Sequence, residues 1–223
     1  MKQKPLFTNT IASQIDEFTS IFKAQVGPAL AAVFAREQED LRRAGVPAGI
    51  ARVGDALPDA QLYDVAGQRV RLAAVLGAAA AIIVFYRGSW CPYCSIALKT
   101  YQRELLPVVE AFGTRLIAIS PQAPDISVKA ARDAGLVLAL YSDEGNALAA
   151  QLGIVTTPSS ESMRARAALG MDVAGSNMDR TEAVPFPAVV VADATGTIRL
   201  MDVRVDYTTR TETCDIIDAL VML

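Results

Sequence analysis

The sequence predicts an α/β domain with a central β-sheet, preceded by an N-terminal helical extension. Two patterns carry this prediction: short apolar strands alternate with helices from about residue 53 onward, and one strand, AAIIVF, is apolar at every position. A strand without polar alternation is typical of a sheet that is covered on both faces. The chain of 223 residues is long enough for one such domain with a sizeable core.

The predicted extension comprises residues 1–50. Apolar residues recur at helical spacing between Ile11 and Val26, and a second helix is predicted from Ala29 to Arg43, directly after Pro28. Neither helix carries residues arranged for chemistry, so we expect both to cover the sheet or a partner subunit.

Residues 51–223 hold the predicted α/β domain, in which strands and helices alternate. The strands are predicted at Gln61–Asp64, Ala80–Phe85, Arg115–Ser120, Val137–Tyr141, Ala188–Ala192 and Thr197–Val205. The helices are predicted at Pro92–Ala111, Asp125–Asp133, Gly145–Leu152 and Glu212–Leu220. The segment of about 153–186 is rich in Ser, Thr, Gly and Pro, with one helical patch at Glu161–Leu169. A loop of this length is usually a lid, a binding segment or an interface.

The composition excludes several classes of function. A net charge of −3, from 21 basic and 24 acidic residues, comes without a basic run, which argues against nucleic-acid binding. The longest apolar run, Leu72 to Phe85, has 14 residues, whereas a membrane-spanning helix needs about 20. The first residues lack the apolar core of a signal peptide, so we expect no membrane association and a cytoplasmic location with reduced thiols. The absence of histidine removes every Cys/His and Ser/His catalytic pair.

The strongest chemical signal is WCPYC, in which Cys91 and Cys94 lie three residues apart where a buried strand meets a helix. In a first helical turn this spacing brings the two Cα atoms about 5 Å apart, within reach of a reversible disulfide. The unpaired amides and the helix dipole at that turn lower the pKa of a thiol, which makes it a nucleophile at neutral pH. Pro92 fits the first helical position because it has no N–H to leave unpaired. The pair predicts dithiol redox chemistry that needs no metal or organic cofactor.

Three other interpretations of the pair are less favoured. A structural disulfide in so short a loop removes little unfolded-state entropy. A structural zinc site needs about four ligands, and this chain offers three cysteines and no histidine. Inert core cysteines are the third interpretation. The remaining cysteine, Cys214, is predicted to be a small buried apolar residue rather than a distant resolving thiol.

The phrase FYRGSWCPYC resembles the AhpC/TSA peroxiredoxin-like members of the thioredoxin-fold suprafamily. Further matching phrases are LIAISPQ, YSDEGNALAAQLGI, PFPAVVVADATGTIR and DYTTRTE, so the likeness runs from about Gly54 to the C-terminus. The resemblance implies a thioredoxin-like fold, a central mixed β-sheet flanked by helices, with the segment of about 153–186 as an insertion. It also implies a cis-proline opposite the redox pair, and Pro187 in PFPAVVV takes that place.

The peroxiredoxin pattern PxxxTxxC is only partly present. Its final, peroxide-attacking cysteine coincides with Cys94, but Cys91 replaces the threonine and Arg87 the proline. The arginine that peroxiredoxins aim at the sulfur falls where Pro187 stands, so Arg87 is the nearest substitute. CPYC also equals the glutaredoxin motif, and in WCxxC proteins the first cysteine attacks. We predict attack by Cys91, because the first residue of the turn is normally the more exposed and the nearest to the unpaired amides.

The predicted function is a thiol-dependent peroxidase that reduces hydrogen peroxide or organic hydroperoxides. Cys91 is oxidised to a sulfenic acid and Cys94 closes the disulfide; the resemblance implies thioredoxin, or glutathione with glutaredoxin, as the reductant. Trp90, Tyr93 and Phe186 are expected to wall the site with apolar surface. The alternatives are a thiol-disulfide oxidoreductase acting on protein disulfides and a non-enzymatic redox sensor that signals through residues 153–186. A homodimer through the N-terminal helices is also expected.

Overall fold

The structure is a computed structural model and describes residues 9–223. The helices are α1 (Ile11–Ala44), α2 (Leu72–Leu76), α3 (Pro92–Phe112), α4 (Pro124–Ala134), α5 (Ala147–Gln151), α6 (Ser160–Ala168), α7 (Val173–Ser176) and α8 (Thr213–Val221). The strands are β1 (Gln61–Tyr63), β2 (Arg69–Arg71), β3 (Ala81–Phe85), β4 (Arg115–Ser120), β5 (Ala139–Ser142), β6 (Val155–Thr156), β7 (Val184–Pro185), β8 (Ala188–Ala192) and β9 (Ile198–Val203).

Seven strands form one mixed sheet in the order β2-β1-β5-β4-β3-β8-β9, which confirms the predicted central mixed sheet. β3, β4 and β5 run parallel, while β8 lies antiparallel to β3, and β9 antiparallel to β8. Parallel neighbours need crossover connections, which α3 and α4 supply. β6 and β7 form a separate two-stranded ribbon. α3 therefore begins at the carboxyl end of a central strand.

The central strand β3 is buried at every position because helices cover both faces of the sheet. Ile82 and Val84 pack into an apolar cluster with residues of α1, α3 and α8. Ile83 and Phe85 pack on the other face with residues of α2 and α5. The unalternated apolar pattern of the strand is thus the signature of this two-sided cover.

The N-terminal extension is the helix α1, kinked at Gly27, where a φ of 79° favours glycine. Its first amides, those of Ile11 and Ala12, donate to the Glu212 carboxylate at 3.0 and 2.8 Å. Farther along, α1 contacts α3 and α6. Among the described residues it is the one helix long and apolar enough to cross a bilayer, by length and composition only.

Most predicted elements are confirmed, and β4 and β8 have the predicted bounds. The two predicted N-terminal helices are the two halves of α1. The strand predicted from Val137 begins at Ala139, because the Val137 amide donates to the Gln102 side chain at 2.6 Å instead of joining the sheet. The helix predicted from Gly145 begins at Ala147, after Asn146 adopts a φ of 57°. β2 and the β6–β7 ribbon are short elements that the sequence pattern does not predict.

Candidate active site

Residues 86–91 form a tight corner between β3 and α3. At Gly88 the backbone has a φ of 146°, and a Cβ atom there would collide with the indole of the corner. Gln122, in the loop after β4, donates from its side-chain amide to the Ser89 hydroxyl at 2.8 Å and accepts the Ser89 amide. Cys91 is thereby fixed as the residue that precedes the first turn of α3.

Both sulfurs of the pair are buried: Cys91 and Cys94 are each 1% exposed. The prediction that Cys91 is the more exposed of the two is wrong. It assumed a bare helix start, whereas α1 and α6 lie over this end of α3 and contribute Phe22, Phe34 and Arg166 to the space beside Cys91. A small molecule can reach a reactive thiol at this position, whereas a larger one reaches it only after α1 or α6 moves.

Arg87 is a buried cation beside Cys91 rather than a surface arginine. It is 3% exposed, and its guanidinium carbon lies 4.2 Å from the Tyr207 ring centre and 5.1 Å from that of Trp90. Within residues 9–223 it forms no ion pair, and its Nε has no hydrogen-bond partner. Burial and the neighbouring Arg166 lower the pKa of Arg87, yet arginine stays protonated in proteins. An anion at Cys91 is therefore electrostatically favoured.

A second buried cation, Arg210, contacts the other sulfur. Its Nη2 lies 3.1 Å from Cys94 Sγ. Its Nη1 donates to the carbonyls of Tyr207 and Thr209 at 2.7 and 2.6 Å, which fixes the guanidinium in place. The dithiol thus lies between two arginines that belong to distant parts of the chain.

The two thiols are driven toward opposite protonation states. Burial raises the pKa of Cys91, but hydrogen bonding by the Cys94 thiol and the charges of Arg87 and Arg210 outweigh it and hold the pKa well below the usual value. Burial, the hydrogen bond to Cys91 and the Cys91 charge raise the pKa of Cys94 well above its usual value. Arg210 is in contact with Cys94. The two sulfurs nevertheless carry one negative charge between them, and the Cys94 thiol donates a hydrogen bond to the Cys91 sulfur. Cys91 is the thiolate and Cys94 the thiol.

Helices α1 and α6 cover Cys91, and we call these two helices the roof. A buried ion pair joins them. Arg166 of α6 donates to Glu37 of α1 at 2.7 Å, and Ser162 hydrogen-bonds to the same carboxylate. Burial raises the pKa of Glu37, but the bonds from Arg166 and Ser162 outweigh it, so the net pKa is lowered. The Arg166 guanidinium lies 5.4 Å from the Phe34 ring centre and 5.9 Å from that of Trp90. The roof is therefore held by charge as well as by apolar packing.

Three cavities border this region. The one at Cys91 has a volume of about 30 Å³ and is also lined by Phe22, Phe34, Gln38, Arg87, Trp90, Pro92, Tyr93, Arg166, Met171 and Tyr207. A second, of about 350 Å³, lies between α3 and α4 and is lined by Cys94 but not by Cys91. A third, of about 280 Å³, lies beyond Arg87 and Tyr207 and contains Phe186 and Pro187.

The structure brings most of the predicted site residues together, with two exceptions. Arg87, Trp90, Pro92 and Tyr93 all lie around Cys91. Phe186 and Pro187 line the neighbouring cavity instead, and the prediction that Phe186 walls the thiol site is wrong.

The prediction of a cis peptide bond before Pro187 is also wrong, because the described chain has none. The Phe186 amide donates to the Ile154 carbonyl at 2.7 Å, and the Pro187 carbonyl accepts the Arg204 amide at 2.8 Å. Both groups are thus used within the molecule, which leaves neither to pair with an extended substrate.

Cys214 is exposed on α8, so the prediction that it is a buried apolar residue is wrong. The helix α8 buries Thr213, Ile216 and Leu220, and Cys214 falls on the opposite side. Its thiol contacts the carboxylate of the next residue, Asp215, at 3.8 Å. No residue of the dithiol site is among its hydrogen-bond partners in the described chain.

Sequence reasoning missed the residues that the roof and the C-terminal segment contribute. The matched phrase DYTTRTE contains Tyr207 and Arg210, and a charged residue inside a matched phrase was the available signal. Glu37 and Arg166 carried none, because an acidic residue on one helix and a basic residue on another are ordinary surface features until the fold buries them together.

The sequence matches a known protein family. The family model described as AhpC/TSA family matches residues 53–201, two thirds of the chain. The chain belongs to the AhpC/TSA family. No curated protein matches the sequence closely enough to count as a relative.

Solved structures of peroxiredoxin-like proteins and thiol peroxidases resemble the chain over more than three quarters of its length. A peroxiredoxin-like protein from Aquifex aeolicus has a TM-score of 0.62 at 12% identity, over 78% of this chain and 89% of its own. A thiol peroxidase from Chromobacterium violaceum has a TM-score of 0.58 at 20% identity, over 79% and 90%. Peroxidoxin BcpB from Mycobacterium tuberculosis has a TM-score of 0.58 at 17% identity, over 77% and 97%. At these identities the likeness establishes the thioredoxin-like fold, and the chemistry is argued from the site.

Proposed function

We propose that the protein is a thiol peroxidase that reduces hydrogen peroxide through a Cys91–Cys94 dithiol cycle. The observation that carries the proposal is the thiolate Cys91, buried in a cavity of about 30 Å³ beside the unpaired cation Arg87. A water molecule needs roughly 10–15 Å³ of cavity volume. The cavity therefore accommodates a molecule of two oxygen atoms, which is the size of hydrogen peroxide.

The oxidative half of the cycle conserves atoms and electrons, with the two sulfurs supplying both electrons. The Cys91 thiolate attacks one peroxide oxygen, the O–O bond breaks, and Cys91 becomes a sulfenic acid. The departing hydroxide or alkoxide takes up a proton from the solvent and leaves as water or an alcohol. Arg87, beside the reacting atoms, stabilises the negative charge that develops on the departing oxygen. The Cys94 sulfur then attacks the Cys91 sulfur, and its proton leaves with the hydroxyl as a second water. The result is a disulfide that an external thiol must reduce.

The same geometry disfavours the thiol-disulfide oxidoreductase that acts on protein disulfides. Such a substrate needs an exposed sulfur and free backbone groups beside it, as in strand addition. Cys91 is 1% exposed, and the Phe186 amide and the Pro187 carbonyl are already paired within the molecule. A peroxide requires neither.

The test is peroxide consumption by the reduced wild type and by the variants Cys91→Ser and Cys94→Ser. We expect Cys91→Ser to lose rapid peroxide consumption. We expect Cys94→Ser to consume about one equivalent and stop as a sulfenic acid, which intact mass identifies as one added oxygen. Rapid consumption by Cys91→Ser, with oxygen added at Cys94, would reverse the assignment of the two sulfurs. Slow consumption by the wild type would refute the peroxidase.

We include three further points in the proposal. The reductant is a thiol, and the resemblance implies thioredoxin or glutathione with glutaredoxin. The burial of both sulfurs favours glutathione, the smaller of these thiols, and the cycle suits the reducing cytoplasm. The chain associates as a homodimer through α1, which carries exposed apolar side chains such as Ile21, 51% exposed. Sedimentation of the wild type and of Ile21→Asp tests the association: the wild type should sediment as a dimer and the variant as a monomer.

A further inference from the structure

The two cysteines of the dithiol line different spaces. Cys91 lines the cavity of about 30 Å³ under the roof, and Cys94 does not. Cys94 lines the groove of about 350 Å³ between α3 and α4, and Cys91 does not. The roof therefore restricts access to one sulfur only.

We propose that a small, zwitterionic, amino-acid-derived thiol enters this α3–α4 groove and reduces the disulfide by attacking Cys94. The proposal rests on the dithiol cycle proposed above and assigns the reducing step to a second site. Peroxide then reaches the pair through the cavity under the roof, and the reductant reaches it through the α3–α4 groove.

The size of the groove selects a small molecule. Binding sites for small molecules have volumes of about 300–1,000 Å³, and the groove, at about 350 Å³, lies at the lower end of that range. Cys94 lines the groove but is only 1% exposed, so a thiol on the folded surface of a large protein does not reach it without movement of α3 or α4. A thiol of a few residues at most fits.

The lining of the groove selects the charge of the molecule. Lys99 of α3 is exposed and forms no ion pair within the described chain, so its ammonium is available to a carboxylate. Asp133 of α4 lines the groove as well and is bonded to Lys129 at 2.8 Å. The hydroxyl-bearing side chains Ser89 and Ser95 lie beside Cys94. An ammonium, a carboxylate and hydroxyl groups around one sulfur complement a thiol that carries both an amine and a carboxylate.

The pair is also prepared for attack at Cys94. In thiol–disulfide exchange the sulfur with the lower pKa leaves faster. The charges of Arg87 and Arg210 hold the pKa of Cys91 well below that of Cys94, so Cys91 is the better leaving group. Attack must come in line with the S–S bond, on the side of Cys94 away from Cys91, and the groove is the space that contains Cys94 without Cys91.

The exchange balances as two displacements. The incoming thiolate forms a bond to Cys94 Sγ, the bond between Cys94 and Cys91 breaks, and its electron pair leaves on Cys91. A second thiolate of the same class then attacks the sulfur of the bound thiol, which releases the oxidised thiol dimer. Cys94 departs as a thiolate beside Arg210, whose Nη2 lies 3.1 Å away, and takes up a proton. Two thiols lose two electrons in total and the protein disulfide gains them.

The test fills the groove and measures the two half-reactions separately. Ala130 of α4 lines the groove, whereas Val128, on the same helix and 39% exposed, does not. Wild type, Ala130→Phe and the matched control Val128→Phe are converted to the disulfide with a chemical oxidant, so the measurement does not depend on peroxidase activity. Reduction by glutathione is then followed through the fluorescence of Trp90, the single tryptophan. Oxidation by hydrogen peroxide is followed in the same way.

We expect Ala130→Phe to slow reduction by glutathione at least about tenfold, while Val128→Phe matches the wild type and peroxide oxidation stays within about twofold in all three. Acid quenching during reduction, followed by alkylation and peptide mass analysis, should place the glutathione on Cys94 and the alkyl group on Cys91. Glutathione on Cys91, or equal reduction rates in all three proteins, would overturn the inference. The inference would also be overturned if thioredoxin reduced the disulfide faster than glutathione does, at the same rate in the wild type and in Ala130→Phe. Absence of peroxide oxidation would refute the peroxidase and leave this result standing.

Discussion

The surroundings of Cys91 and of Cys94 differ although the two sulfurs lie one helical turn apart. On the Cys91 side, two helices, five aromatic rings and two arginines leave about 30 Å³ of space. On the Cys94 side, α3 and α4 leave a polar groove of about 350 Å³. The difference places the two cysteines of one dithiol beside spaces of different size and polarity. The size of the opening selects the molecule, and the placement of the cations decides which sulfur carries the charge.

The two sides also differ in how the chain builds them. The groove beside Cys94 is formed by α3 and α4, consecutive helices of the common domain. The space beside Cys91 is closed by α1 and α6, which lie outside the core of the fold and more than a hundred residues apart, and which the buried pair Glu37–Arg166 joins. The asymmetry between the two sulfurs therefore depends on this pair.

The largest effect is expected when that pair is broken. Glu37→Gln leaves the Arg166 cation buried without an anion, and the loss of one partner of a buried ion pair costs about 3–5 kcal/mol. We expect the free energy of unfolding, measured in urea, to fall by that amount. We also expect Cys91 to react faster with a bulky alkylating reagent, because the roof opens.

The matched control for this experiment lies between the same two helices. Arg36 and Glu161 form an ion pair whose side chains are 57% and 52% exposed, and an exposed pair contributes at most about 1 kcal/mol. Glu161→Gln should therefore leave both the unfolding free energy and the alkylation rate nearly unchanged. Equal losses in the two variants would show that the roof is held by apolar packing rather than by the buried charge.

The pair also sets the response of the roof to acid. In the folded protein the pKa of Glu37 lies below its ordinary value, so its stabilising contribution is complete above the unfolded pKa of about 4.3. That contribution is lost as the pH falls through the depressed folded pKa. The unfolding free energy of the wild type should therefore decline more steeply below about pH 4 than that of Glu37→Gln.

Next in size is the effect of removing the cation beside Cys91. Arg87→Met leaves the burial of the thiol and removes a charge that lowers its pKa. A thiol of ordinary pKa, about 8.5, is only about 3% ionised at pH 7, so we expect peroxide oxidation at that pH to slow about 30-fold. The wild-type oxidation rate should stay constant as the pH falls from 9 to 7, because Cys91 remains ionised. The rate of Arg87→Met should fall over the same range, so its pH profile lies at higher pH.

The control is a second arginine stacked on a tyrosine. Arg69 lies 5.7 Å from the Tyr63 ring centre, on the exposed edge of the sheet. Arg69→Met should leave the pH profile unchanged. An unchanged profile in Arg87→Met would mean that the helix start and Arg210 suffice to ionise Cys91.

The sheet and the position of the dithiol could be predicted because their signals are local. The apolar strand AAIIVF, the proline after Cys91 and the spacing of the two cysteines each depend on neighbours in sequence. Periodicity also gave both halves of α1. These patterns indicate which side of a helix or strand is buried. They do not indicate which other element covers it.

The asymmetry of the site could not be predicted, because it arises from contacts between distant segments. Arg210 follows Cys94 by 116 positions, and Arg166 follows Glu37 by 129. A single sequence does not report such pairs. The expectation that Cys91 is exposed failed for this reason: the rule for a free helix start is correct, but α1 and α6 cover this one.

A smaller effect is expected from widening the cavity at Cys91. Phe22 of α1 lines the cavity, and its ring packs 5.6 Å from that of Phe18. Phe22→Ala enlarges the space, so we expect the oxidation rate with a bulky organic hydroperoxide to rise about tenfold relative to that with hydrogen peroxide. Ile21→Ala, one residue earlier and 51% exposed, should leave the ratio of the two rates unchanged. A constant ratio in Phe22→Ala would show that the cavity does not select the substrate.

The smallest effect is expected at the third cysteine, which separates exposure from reactivity. Cys214 is exposed, whereas Cys91 is 1% exposed, and accessibility alone would make Cys214 the first thiol to react. Partial burial and the Asp215 carboxylate raise the pKa of Cys214, so little thiolate is present at neutral pH. We expect Cys214→Ser to oxidise with peroxide and to be reduced at wild-type rates within about twofold. Peptide mass analysis of the wild type after one equivalent of peroxide should find the oxidation on Cys91 and Cys94, with Cys214 still a thiol. Oxidation of Cys214 first would mean that access limits the reaction, whereas its survival would mean that the buried cations beside the dithiol outweigh the advantage of exposure.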